Sequence, residues 1–65
     1  MLIQNLKIFL ESCFNGLNIE TLNDGIAIRN YKQLHEMEKD LLKELIPKKF
    51  EYVYNNNGLE IWEMF

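Results

Sequence analysis

A chain of 65 residues with a net charge of −3 and one cysteine is sized for a single domain, residues 1–65, and buries only about 60% of the surface its unfolded form exposes. One cysteine excludes an intrachain disulfide and a zinc site of four thiolates, or of two thiolates and two imidazoles, and fits a reducing compartment. Acids outnumber bases and Arg29 is the only arginine, which argues against direct nucleic-acid binding, because that affinity rests on Lys and Arg neutralising phosphates.

The stretch from Met1 to Phe14 is apolar but interrupted by Gln4, Asn5, Lys7 and Glu11. It lacks the unbroken apolar core and cleavage site of a signal peptide and the roughly 20 apolar residues of a membrane span. The chain is therefore read as starting at Met1 and working in the cytoplasm. Asn, Ile, Lys, Tyr and Phe are abundant and alanine occurs once. These residues have AT-rich codons, which associates the chain with a low-GC bacterium or its phage.

Leu2–Phe14 is predicted to be an amphipathic helix. Leu2, Leu6, Phe9 and Cys13 recur on one face, with Ile3 and Leu10 widening the stripe. Lys7 and Glu11 form an i,i+4 pair opposite. Cys13 then reads as a buried apolar thiol, since a helix C-terminus disfavours the thiolate a nucleophile needs. Asn15-Gly16 stops the helix, and Leu17 folds back onto its last turn.

Leu17–Leu22 and Ile26–Arg29 alternate as strands do, and Asp24-Gly25 signals a type I′ hairpin. That turn sets Thr21 opposite Ile28 and Glu20 opposite Arg29. Leu17, Ile19, Thr21, Ile26 and Ile28 share one face; Asn18, Glu20, Leu22, Ala27 and Arg29 share the other.

Asn30, with Gln33 as capping-box partner, starts a second helix, Tyr31–Ile46. Leu34, Met37, Leu41 and Leu45 form its buried stripe, and Pro47 ends it. His35 falls on the shoulder between core and solvent, with no nucleophile beside it. Phe50–Tyr54 and Leu59–Phe65 form a second hairpin around Asn55-Asn56-Asn57-Gly58. Phe50, Tyr52, Tyr54, Leu59, Ile61 and Phe65 share one face with Glu63 as a charged intruder. Glu51, Val53, Glu60, Trp62 and Met64 share the other, and the last strand is expected at a sheet edge. Setting Gly25 on Gly58 aligns Leu17 with Phe50, Ile19 with Tyr52, Ile26 with Leu59 and Ile28 with Ile61. This weak echo is one that any two amphipathic hairpins would partly produce.

The expected fold class is α+β: a two-layer αββαββ sandwich whose four mostly antiparallel strands carry both helices on one face. LAGLIDADG homing endonucleases also run αββαββ. The chain lacks their acidic motif at the end of the first helix, their basic strands and their length, so the resemblance is one of topology.

No phosphate loop, nucleophile elbow or metal-ligand spacing occurs, so no enzyme, cofactor or metal is expected. Two surfaces stand out as partner-binding candidates. Glu36, Asp40 and Glu44 make an acidic stripe on the second helix, which solvation alone explains or which meets a basic protein. Leu22, Val53, Trp62 and Met64 make the uncovered sheet face unusually apolar, and Trp and Met are enriched at interfaces. The expectation is a non-enzymatic protein-binding module of the phage or mobile-element inhibitor type, anti-defence or anti-CRISPR-like. Its partner would be a basic or nucleic-acid-binding host protein, with no membrane and no direct nucleic acid. The alternative is a structural or regulatory homodimer formed through the open face.

Overall fold

The computed structural model describes residues 2–64. Helix α1 (Ile3–Cys13) leads into strands β1 (Ile19–Thr21) and β2 (Gly25–Ile28). A 3-10 turn (Tyr31–Gln33), helix α2 (Glu36–Leu45) and strands β3 (Phe50–Asn55) and β4 (Gly58–Glu63) follow. Two helices and a four-stranded antiparallel sheet make the expected α+β sandwich. The strand order is β1-β2-β4-β3. The last strand is thus internal, not an edge; the edges are β3 and the three-residue β1. Met1 and Phe65, the latter expected on the core side of the last strand, lie outside the described residues.

The two hairpins join through β2 and β4. Ile26 pairs with Ile61 and Ile28 with Leu59, and all four side chains are fully buried. Strand side chains alternate between faces, so these four define the core side. Ile3, Leu6 and Leu10 of α1, Leu42 of α2, Ile46 just after it, and Phe50 of β3 complete one cluster. Both helices therefore lie on the same face, and each truncation of these residues to Ala is of the kind that costs about 2–5 kcal/mol.

The echo between the hairpins is realised in their pairing. With Gly25 set on Gly58, Ile19↔Ile28 becomes Tyr52↔Ile61, and Thr21↔Ile26 becomes Tyr54↔Leu59. The β2·β4 register maps onto itself, since Ile26↔Ile61 becomes Leu59↔Ile28. In register, the sheet is two-fold symmetric about its central pair.

The first hairpin turns one residue earlier than expected. Asn23-Asp24 makes the turn, Leu22 N–H donates to the Gly25 carbonyl at 2.8 Å, and Thr21 faces Ile26 rather than Ile28. Glu20 faces Ala27, with Arg29 diagonal to it. The resulting two-residue shift in pairing leaves every side chain on its expected face. Gly25 is a strand residue here, without positive φ. A Cβ on it would stand 2.6 Å from the Ile61 carbonyl oxygen and 3.0 Å from the Trp62 indole, so glycine is required by close approach and not by turn geometry.

Helix α1 buries Ile3, Leu6 and Leu10, with Phe14 following, while Leu2 and Cys13 are exposed. The predicted burial of Cys13 is therefore corrected: the buried face turns away from Leu2 and Cys13, while Phe9 is half-buried and packs against the core as expected. The anchor is Glu63. Helix α1 has Leu2 at its N-cap and no acid in its first turn, and the Ile3 N–H donates to the Glu63 carboxylate at 3.2 Å. The intruding charge thus satisfies an orphan helix donor and complements the helix dipole. Lys7 donates to Thr21 Oγ1 at 3.2 Å, tying the helix to β1 in place of the expected pair with Glu11.

Helix α2 is shorter than the predicted Tyr31–Ile46. Asn30 does not cap it: Asn30 Oδ1 accepts from the Asn18 N–H at 3.0 Å and Nδ2 donates to the Gly16 carbonyl at 2.8 Å. The 3-10 turn buries Tyr31, whose ring packs against Tyr54 with centroids 5.6 Å apart. Leu34 and His35 are then extended, with ψ 152° and 154°. His35 becomes the N-cap of α2, its N–H donating to the Glu38 carboxylate at 3.1 Å. Those two extended residues reset the helical phase. Leu42 and Ile46 are buried, whereas Met37 is 84% exposed and Leu41 is also exposed; the unbroken period had placed both in the core.

Removing the acceptor with Glu63→Ala is expected to cost about 1 kcal/mol of unfolding free energy, as loss of a helix N-cap does. Glu63→Gln, which keeps a carbonyl oxygen, should lose less. Urea denaturation of the three chains reads the difference; equal midpoints would show that α1 is not held at that point.

Candidate functional site

Among the described residues, no element lies over the sheet face turned away from the helices. Pairing sets Gly25 beside Trp62 and Trp62 beside Glu51 in one row, and Glu20, Ala27, Glu60 and Val53 in the next. Leu22 joins the first row through its bond to Gly25. The indole of Trp62 lies across Gly25, and its Nε1–H donates to the Glu60 carboxylate at 3.1 Å. Trp62 is thereby half-buried on this face. Leu22 and Val53 are also half-buried, Met64 is 57% exposed, and Ala27, expected on this open face, is only 1% exposed.

Charge on this face is only partly neutralised within the chain, since Glu51 is exposed beside Trp62. Arg29 forms an ion pair with Glu20, and Glu60 is engaged by Trp62. Of the four apolar candidates, Leu22, Val53 and Trp62 are brought together on this face by the strand pairing, and exposed Met64 follows just beyond the end of β4.

The acidic candidates belong to the opposite layer. Glu36, Asp40 and Glu44 are all exposed along α2, where Glu36 pairs with Lys39 at 3.6 Å. The Lys39 ammonium also sits 5.2 Å from the Tyr31 ring centroid. The structure does not bring the stripe together with the open sheet face.

A third feature went unread in the sequence. Lys43, Lys48 and the β3 residues Phe50, Tyr52 and Tyr54 line a groove of about 360 Å³. Tyr52 Oη donates to the Ile46 carbonyl at 3.1 Å, and Lys49 Nζ stands 5.5 Å from the Phe50 ring centroid. The signal was present in the lysines around Pro47 next to alternating aromatic residues, but the negative net charge drew attention to the carboxylates.

Among the described residues, no group of three or more His, Cys, Asp and Glu side chains could hold a metal ion, and no helix is long and apolar enough to cross a membrane. Comparison with protein-family models, curated proteins and solved structures finds no match.

Burial, followed by the neighbouring Tyr54, pushes the Tyr31 and Tyr52 phenols above their ordinary value of 10.0; Glu36 and Asp40 add to the effect at Tyr31. The folded chain thus holds these protons more tightly than the unfolded chain does. Below pH 10.0 both states keep them, and their stabilising effect is fully present. As pH rises further the unfolded chain releases them first, and stability falls. Denaturation midpoints on either side of that pH should show the fall, with a shallower slope in Tyr31→Phe. A native slope no steeper than that of the variant would contradict the burial of this phenol.

Proposed function

We propose that this chain is a small non-enzymatic module that binds another protein through its open sheet face. The observation that carries the reading is the chemistry of that face. Leu22, Val53, Trp62 and Met64 remain accessible on it, while Glu20 and Glu60 are engaged by Arg29 and Trp62. A surface that leaves Trp and Met accessible beside other apolar side chains suits a protein partner. A standard interface takes about 800 Å² from each partner, a modest share of the 4426 Å² of accessible surface here.

Small size, net negative charge and AT-rich composition favour an inhibitor encoded by a phage or other mobile element. Such a protein, anti-defence or anti-CRISPR-like, would act by occupying a surface of a host protein in the cytoplasm. Glu36, Asp40 and Glu44, on the other layer, would steer it toward a basic partner, including a nucleic-acid-binding protein. Self-association through the same sheet face is the alternative.

Light scattering across a wide concentration range separates the two readings. The native chain and Trp62→Ala are both expected to be monomers. Met64→Lys, which alters an exposed side chain, serves as a variant that leaves Trp62 on Gly25. A native dimer that Met64→Lys splits would assign the face to a homodimer. With a monomer, host protein captured by the native chain should be lost with Met64→Lys; undiminished capture would remove the open face as the binding surface.

A further inference from the structure

We infer that the free edge of β3 is a docking site for an extended acidic segment of another protein, which adds to the sheet as a fifth strand and sets its carboxylates against Lys43 and Lys48. This site is separate from the open sheet face. The side chains of Tyr52 and Tyr54 share a face with Ile61 and Leu59, on the side that carries the helices.

The backbone supplies the first part of the argument. Glu63 N–H donates to the Asp24 carbonyl at 3.0 Å, continuing the β2·β4 ladder. In an antiparallel ladder, successive residues turn their amides to opposite sides. Leu59 and Ile61 therefore turn to β2, and Glu60 and Trp62 turn to β3, where they pair with Val53 and Glu51. The intervening residues Tyr52 and Tyr54 turn their N–H and C=O groups away from the sheet. Phe50 agrees with this parity, since its N–H donates to the Pro47 carbonyl at 3.2 Å. A row of free backbone groups on an edge is a template for another strand.

Side chains supply the second part. In strand addition, backbone bonds give affinity and alternate side chains of the guest enter pockets beside the edge. The groove of about 360 Å³ lies beside β3, floored by Phe50, Tyr52 and Tyr54. Its charged lining residues are Lys43 and Lys48, and Lys49 stands nearby over Phe50. This is a local basic site on a chain of net charge −3, and it matches a guest with carboxylates at alternate positions. A second copy fits less well, because two β3 edges side by side would bring lysines toward lysines.

The test titrates the isotope-labelled full chain with a synthetic peptide alternating Glu and Val, and with one alternating Lys and Val. Expected are saturable shifts of the Tyr52 and Tyr54 amides, backbone contacts from the Glu peptide to those residues, and little response to the Lys peptide. Lys43 and Lys48 are exposed, so Lys43→Glu/Lys48→Glu keeps the fold and should weaken the Glu peptide by roughly tenfold or more. Met64→Lys should leave it unchanged, which keeps this site distinguishable from the open face. No saturable response, equal binding of the Lys peptide, or shifts confined to the Trp62 side would overturn the inference. So would a mononucleotide that fills the groove while the peptide does not, or native chains that pair through Tyr52 and Tyr54.

Discussion

Ile26, Ile28, Leu59 and Ile61 face one another across the central strand pair, and the rest of the molecule is arranged around that contact. Neither hairpin would be expected to stand alone, because an isolated two-stranded hairpin is at best marginally stable in water. Joined through β2 and β4, the two make a four-stranded sheet with one continuous apolar face. The helices close that face with Leu6, Leu10, Leu42 and Ile46. A register error of one residue in the central pair would turn the apolar side chains of a strand away from both helices.

The described residues supply two layers, with both helices on one side of the sheet and the far side uncovered by them. The structure moderates that exposure from within. Trp62 fills the space that Gly25 leaves, its indole N–H is satisfied by Glu60, and Arg29 is paired with Glu20. The same arrangement keeps Leu22, Val53 and Trp62 half-buried yet accessible, which connects packing to the proposed protein-binding role. The edges differ too. One is the three-residue β1, whereas β3 runs for six residues beside a basic, aromatic groove.

Much of this was legible in the sequence. Period-two alternation fixed which residues share a sheet face, and it survived a turn placed one residue early because the resulting shift in pairing was even. Turn residues separated the hairpins, and the echo between Gly25 and Gly58 anticipated the symmetric register. Helix phase was harder to read. An apolar stripe through Leu34, Met37, Leu41 and Leu45 assumes one unbroken helix, and the extended pair Leu34-His35 breaks it. The stripe cannot reveal that break, since no proline or glycine marks it. Glu63 looked out of place because its partner, the start of α1, is distant in sequence and close only in the fold. The groove was legible only in its parts, the lysines around Pro47 and the alternating aromatics, because Lys43 and Lys48 meet Tyr52 and Tyr54 only after α2 has turned back onto β3.

Amide hydrogen exchange of the dilute chain, resolved residue by residue, tests the central arrangement most directly. The amides of Ile26, Ile28, Leu59 and Ile61 should exchange most slowly, opening only with global unfolding, while those of Tyr52 and Tyr54 exchange fast at the free edge. Fast exchange at Ile26 and Ile61 would contradict the β2·β4 seam on which the fold rests. Strong protection of Tyr52 and Tyr54 in the monomer would contradict the open β3 edge.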